Sequence, residues 1–253
     1  MSAATTHSTT LAPTGGPAAA VRPYRRSRRR ASRPSTVLTV GMLAALAYFL
    51  LPLFWLVVAS TKTNEGLFSS FGLWFDGARF HLFDNIRDAL TYQDGIFLRW
   101  LGNTTLYAVV SSGGAALLAT AGGYAFAKYD FPGKNAMFVA VLGSIMVPST
   151  ALAIPTYLLM SRVGIVNTPW AVILPSLLSP FGIYLMRVYA AGAIPDGLIE
   201  AGRIDGAGEF RIFWFVALRQ LVPGFITVLL FTLVATWNNY FLPLIMLNDP
   251  NLY

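Results

Sequence analysis

Two clusters of side chains in this chain are equipped for chemistry, and both suit recognition rather than bond breaking. The first is Glu200-Ala201-Gly202-Arg203-Ile204-Asp205-Gly206, followed by Ala207. It mixes charges with small residues, which makes a compact polar surface that a soluble partner can approach closely. The second is Thr236-Trp237-Asn238-Asn239-Tyr240, joined by Asn103 and Thr104. Aromatic rings and neutral amides at one level suit stacking on, and hydrogen bonding to, a hydroxyl-rich neutral solute. The other reading of this cluster is interhelical hydrogen bonding beside an outer aromatic belt.

Bond-breaking chemistry has little to work with. His7 and His81 lie far apart in sequence, and no cysteine is present to form a disulfide, a thiolate zinc site or a nucleophile. HExxH, GxSxG and CxxC patterns are absent, and the nearest imitation of a phosphate-binding loop, Pro132-Gly133-Lys134-Asn135, lacks its glycine spacing and its Ser/Thr. No Asp or Glu falls inside a long apolar run, which argues against an intramembrane proton relay or a two-carboxylate protease. A membrane-embedded transferase would need acids clustered for metal or acid–base work. Asp130, Asp196, Glu200, Asp205 and Glu209 are spaced instead like a docking surface. Neither catalytic nor metal-ligating residues are expected.

The elements that must position the two clusters follow from the solvent the chain prefers. Hydrophobic residues make up 55% of it and charged residues 11%, with a mean hydropathy of +0.58; a soluble domain carries about 25% charge. Charge-free stretches at 35–61, 100–127, 135–161, 163–186 and 220–248 each exceed the roughly 20 residues needed to cross a bilayer. Backbone groups cannot stay unpaired in lipid, so these runs are expected to be helices. The fold class is therefore all-α, a polytopic membrane helical bundle with five spans at about 37–59, 101–127, 135–160, 168–187 and 220–247. The first span is too long for a cleaved signal peptide. Prolines 52, 148, 155, 175 and 180 fall within these runs as expected kinks.

Residues 1–35 form a separate unit, a basic tail with RPYRRSRRRASR at 22–33, expected to be disordered. A basic run before a span fixes topology and contacts anionic lipid more readily than it binds nucleic acid, so no nucleic-acid partner is expected. With the N-terminus cytoplasmic, thirteen of the eighteen Lys/Arg fall in inside segments, as the positive-inside rule requires. The polar stretch from about 190 to 219 then faces the cytoplasm. Pro195-Asp196 signals a helix start, and Gly206 and Gly208 break that helix before a second amphipathic stretch, giving an elbow.

The stretch IEAGRIDGAGEFRIFWFVAL (199–218) resembles the EAA loop of binding-protein-dependent ABC importer permeases. Glu200, Ala201 and Gly206 match its pattern, and Asp205-Gly206-Ala207 is a usual accompaniment. FLRWLGNTTLYAV (97–109), YAFAKYDFPGK (124–134), MVPSTALAIPTYLLMSRVGIVNTPWAVILP (146–175), SPFGIYLMRVY (179–189) and TWNNYFLPLIMLNDPNLY (236–253) look like the sugar-uptake branch, on the side of the maltose permease G subunit. The resemblance covers nearly everything after residue 36.

It implies a multi-pass subunit of a prokaryotic cytoplasmic membrane that passes a sugar or oligosaccharide. Its partners would be a second permease, two ATPase subunits and an extracytoplasmic solute-binding protein. This chain would bind no cofactor, ATP and magnesium belonging to the ATPase. Residues 198–208 would be the coupling segment, with Glu200, Ala201, Gly202, Asp205, Gly206 and Ala207 at the ATPase; Asn103, Trp237, Asn238, Asn239 and Tyr240 are candidates for the solute pathway. Permeases for amino acids or peptides share the elbow and remain the alternative, as does a non-transporting remnant. Two substitutions depart from the pattern. Gly202 replaces an alanine and should loosen the elbow helix, since Gly costs about 1 kcal/mol there, and Arg219 stands where the family has Pro. The resembled family also continues into a sixth span, so a longer reading frame than Tyr253 is expected.

Overall fold

The computed structural model describes residues 35–75 and 80–253, among which there are helices and turns and no strand. The basic tail and His7 fall outside the described residues, Ser35 excepted. The chain divides into two units after Val58.

The first unit supplies most of α1 (Thr36–Ser60), which carries Pro52 and exposes apolar residues around its circumference, among them Val37, Leu43, Phe49 and Leu56. A helix apolar on all sides is suited to a lipid surround.

The second unit opens with two short helices, α2 (Asn64–Ser69) and α3 (Leu82–Thr91); Asn85 of α3 donates its amide to the Ser60 and Lys62 carbonyls and so holds α3 to the segment that precedes α2. After a left-handed break at Gln93, Asp94 and Gly95, α4 (Ile96–Lys128) runs without interruption for 33 residues. At about 1.5 Å per residue this makes a rod of roughly 50 Å. It packs chiefly against α8 (Pro180–Ala193) and α11 (Leu218–Trp237).

The face of α4 turned to these two helices is small: Ala108, Ser111, Ser112, Ala115, Ala116 and Ala119 are fully buried. Small faces let backbones close up where lipid gives no hydrophobic drive to associate. At Gly123 the approach is tightest, for a Cβ there would collide with Met186 Cβ and stand 2.7 Å from the Arg187 backbone nitrogen. The outward faces keep Leu117, Leu118, Leu230, Phe231 and Val234 exposed, as a lipid-facing surface requires.

Among the described residues, four helical segments are long and apolar enough to cross a membrane: Thr36–Ser60, Leu82–Lys128, Pro169–Ala193 and Glu209–Trp237. The expected continuous run at 135–160 is corrected to two helices, α5 (Lys134–Ile145) and α6 (Ala153–Val163). Pro148 is the cause. It offers no N–H and disfavours helical geometry at the residue before it. The chain turns through Pro148–Ala153 on three successive i→i+3 bonds to the Pro148, Ser149 and Thr150 carbonyls.

The run at 168–187 is α7 (Pro169–Ser176) followed by α8, parted at residues 177–179 by Pro175 and Pro180, with Ser179 Oγ capping α8 by accepting from the Gly182 N–H. The run at 220–247 is broken too. α11 stops at Trp237, and α12 (Phe241–Met246) begins after an amide pair whose side chains cap both helix ends.

Candidate functional site

Two features of the second unit hold the candidate residues, one at each end of α4. At the N-terminal end lies a cavity of about 580 Å³. α4 contributes Trp100, Thr104 and Tyr107; α7 contributes Val172; the junction of α11 and α12 contributes Thr236 to Tyr240 with Pro243 and Leu244; Tyr253 closes it. Among the described residues no Asp, Glu, Lys, Arg or His lines it.

The Asn238 amide donates to the Val234 carbonyl at 2.8 Å, and Asn239 Oδ1 accepts from the Leu242 N–H at 3.1 Å. Half of each amide is thus spent on a helix end, leaving an acceptor on Asn238 and donors on Asn239. Tyr240 is three-quarters exposed, and Trp237 about half.

Trp237, Asn238, Asn239 and Tyr240 therefore share one cavity. Asn103 does not line it. Its amide donates to the carbonyls of Asn251 and Tyr253, at 2.8 and 3.0 Å, and so holds the C-terminal turn against α4. Arg99 and Trp100 reinforce that hold through Asn251 Oδ1 and the Pro250 carbonyl, and the Tyr107 hydroxyl donates to the Leu252 carbonyl at 2.6 Å.

From the other side, Asn167, in the left-handed region at φ 59°, accepts from the Asn248 and Asp249 N–H groups. The Asn251 backbone and side-chain amides hold the Asp249 carboxyl below its ordinary range. Sequence reasoning missed this turn. Its local signals were Asn248-Asp249-Pro250-Asn251, with a capping Asp before a proline, and Asn167-Thr168-Pro169, an αL-tolerant residue before a helix-starting proline.

At the C-terminal end of α4 stands the elbow. α9 (Asp196–Ile204) buries Ile199, and α10 (Glu209–Ile212) buries Ile212. Between them Gly206 turns the chain at φ +77°, a conformation that costs L side chains but not glycine. α9 runs on through Gly202 to Ile204. The missing Cβ lets the helix close on Ile212, whose Cγ1 would stand 3.1 Å from an added methyl.

Glu200, Ala201 and Asp205 are exposed, and Ala207 is half-buried against the core. Neither Glu200 nor Asp205 pairs with a cation among the described residues. After α10 a single π turn, Phe213–Ala217, leads into α11. Turns of this kind are rare and concentrate at functional places.

The elbow is fastened to α4. Lys128 Nζ reaches Asp196 Oδ1 at 2.8 Å, and the Tyr129 hydroxyl donates to Glu209 Oε2 at 2.7 Å. Glu209 Oε1 accepts from Arg203 Nε at 2.6 Å. Burial above all, and then Tyr124 and Glu209 beside it, raise Tyr129 far above the ordinary phenol range, so it keeps its proton. The Glu209 hydrogen bond likewise raises Arg203, which stays charged.

Residues 118–253 match the family model described as "Binding-protein-dependent transport system inner membrane component". The arabinooligosaccharides transport system permease protein AraQ of Halalkalibacterium halodurans is 34% identical over 222 residues, 87% of this chain and 78% of its own. The lactose transport system permease protein LacG of Rhizobium radiobacter is 31% identical over 207 residues, 81% and 73% of the two chains. The fold is that of a solved bacterial ABC transporter involved in the import of the acidic polysaccharide alginate, with a TM-score of 0.75 over 85% of this chain and 75% of that one, at 22% identity. The likeness thus extends over most of the chain's length, and the chain belongs to the family of binding-protein-dependent transport system inner membrane components.

Proposed function

We propose that this chain is the permease subunit of an importer for a neutral sugar or oligosaccharide. The cavity at the N-terminal end of α4 is a station on the solute's path, and the elbow 196–212 is the seat of a separate ATPase. The lining of the cavity carries the reading. Trp100, Tyr107, Trp237, Tyr240 and Tyr253 supply ring faces, while Thr104, Thr236, Asn238 and Asn239 supply neutral donors and acceptors. Rings pack on the apolar C–H face of a sugar, and amides and hydroxyls satisfy its hydroxyls without the cost of a buried charge. An amino acid or a phosphorylated solute would call for an opposing charge, and the lining offers none. The transport named for the arabino-oligosaccharide and lactose relatives agrees with this chemistry.

In the same reading the N-terminus is cytoplasmic and the elbow faces the cytoplasm, where the positive-inside rule puts it. A second permease and an extracytoplasmic solute-binding protein complete the pathway. ATP and magnesium reside on the ATPase, and its closure would swing the elbow as a lever. α5 and α6 together would make the fifth crossing that neither is long enough to make alone.

The test is uptake by the assembled importer in proteoliposomes, with lactose and an arabino-oligosaccharide as probes. Trp237→Ala should lower uptake of the accepted sugar about tenfold, the upper end for one lost ring contact. Unchanged uptake would remove the cavity from the pathway. Uptake of an anionic solute in preference to both sugars would overturn the substrate class.

A further inference from the structure

The elbow joins its neighbours along the chain on two sides only, through residues 194–195 to α8 and through the π turn to α11. α4 is different. It carries Trp100, Thr104 and Tyr107 of the cavity, yet its own connection along the chain leads through α5 to α7 before α8 and the elbow are reached. The end of α4 meets the elbow instead through side chains brought together across 68 and 80 residues of sequence.

Glu209 is the centre of that junction. One carboxylate oxygen takes the Tyr129 hydroxyl and the other takes Arg203 Nε, so one side chain bridges α4's terminus, α9 and α10. The Tyr129 ring then meets Tyr124 edge to face at 5.5 Å, and Tyr124 lies 5.3 Å from Phe213, the first residue of the π turn. The contacts thus form a closed ring: Glu209, Tyr129, Tyr124, Phe213 and back along the chain to Glu209. Charge-assisted hydrogen bonds fix direction as well as distance, which suits a strut between moving parts.

We infer that Glu209 and Tyr129, locked by Arg203, are positioning residues that make α4 move with the elbow. Displacement at the ATPase seat then reaches the cavity wall of α4 about 36 Å away, taking 24 residues from Thr104 to Lys128 at the α-helical rise. This inference rests on the proposed function, because it needs an ATPase at the elbow. Breaking the junction should leave the ATPase bound and hydrolysing while the cavity stops responding.

The chain's lack of cysteine supplies a probe that requires no knowledge of the solute. In the assembled importer, Thr104→Cys puts one thiol in the cavity wall. Its modification by a maleimide, read by mass on this chain, is timed with and without MgATP and vanadate. In the otherwise unaltered chain the nucleotide should change that rate at least about fivefold, the low end of coupling between distant sites. Tyr129→Phe and Glu209→Ala should each bring the change below about twofold, with the ATPase still co-purifying and still hydrolysing ATP. The two together should do no more than either alone, since both cut the same strut.

Glu209→Gln, whose amide oxygen can still accept from the Tyr129 hydroxyl, should keep part of the nucleotide response that Glu209→Ala loses. If both single variants keep the full nucleotide response, the strut is refuted while the proposed function stands. If the response falls only in proportion to lost ATPase, the residues merely hold the assembly and the inference fails. If no ATPase binds the unaltered chain, the proposed function falls first and takes the strut with it.

Discussion

Gly123→Leu is expected to leave almost no folded protein, and Gly123→Ala to lower the melting temperature of the detergent-solubilised chain. A Cβ at this position meets a backbone atom, the Arg187 nitrogen at 2.7 Å, as well as Met186. A flexible side chain could swing aside; a helix backbone has to move as a whole. α4 and α8 would therefore separate along the length over which they pack, losing contacts at Ala119 and Met186 as well. Overpacking of this kind costs about 1–3 kcal/mol, and each kcal/mol is worth about 2–4 °C in a chain of this size. Gly113→Ala, in the same helix with nothing within 4 Å of the added methyl, is the control. It should hold or raise the melting temperature, because alanine is the better helix former by about 1 kcal/mol. Equal melting temperatures for the two alanine variants would show that the close approach does not bear on stability.

Glu200→Lys should behave in the opposite manner, sparing the fold and removing function. Glu200 is exposed and pairs with no cation among the described residues, so its reversal takes nothing from this chain's own packing. Against an ATPase seated on the elbow it would oppose the group that meets the carboxylate. Losing one partner of a charge pair buried at an interface costs about 2 kcal/mol or more, which is about thirtyfold in the seating equilibrium. Solute uptake per ATP hydrolysed should collapse while the chain accumulates in the membrane at its usual level. Normal uptake by Glu200→Lys would take Glu200 out of the seat.

What was legible in the sequence was whatever depends on near neighbours. Helix α9 starts where Pro195-Asp196 signals a start, and it turns at Gly206, where only glycine is at ease. The amide and aromatic residues at 237–240 share a cavity because they follow one another through a single helix junction. Contacts across long separations left no local trace. The Tyr129–Glu209 hydrogen bond, and the commitment of Asn103 to the C-terminal turn 148 and 150 residues away, needed the fold to be seen. The breaks within the runs at 135–160 and 220–247 were masked by hydropathy. Pro148 and the pair Asn238-Asn239 mark the breaks, but averaged over a span their signal is lost, for apolar composition reports the solvent more faithfully than it reports continuity.

The π turn has a bearing on phase. Along α11 the residues that face inward step by four, three and four, from Ala217 through Leu221 and Gly224 to Val228. The step before them, from Ile212 to Ala217, is five, and both ends are completely buried. An α-helix returns to a face after three or four residues, so a five-residue step would throw the faces out of register by about 140°. The turn at 213–217 absorbs that surplus residue and lets the elbow and the span point their apolar sides the same way. It acts as a vernier between two rulers. Removing one residue from it would rotate Ile212, and α9 packed against it, around the axis of α11 without touching either helix.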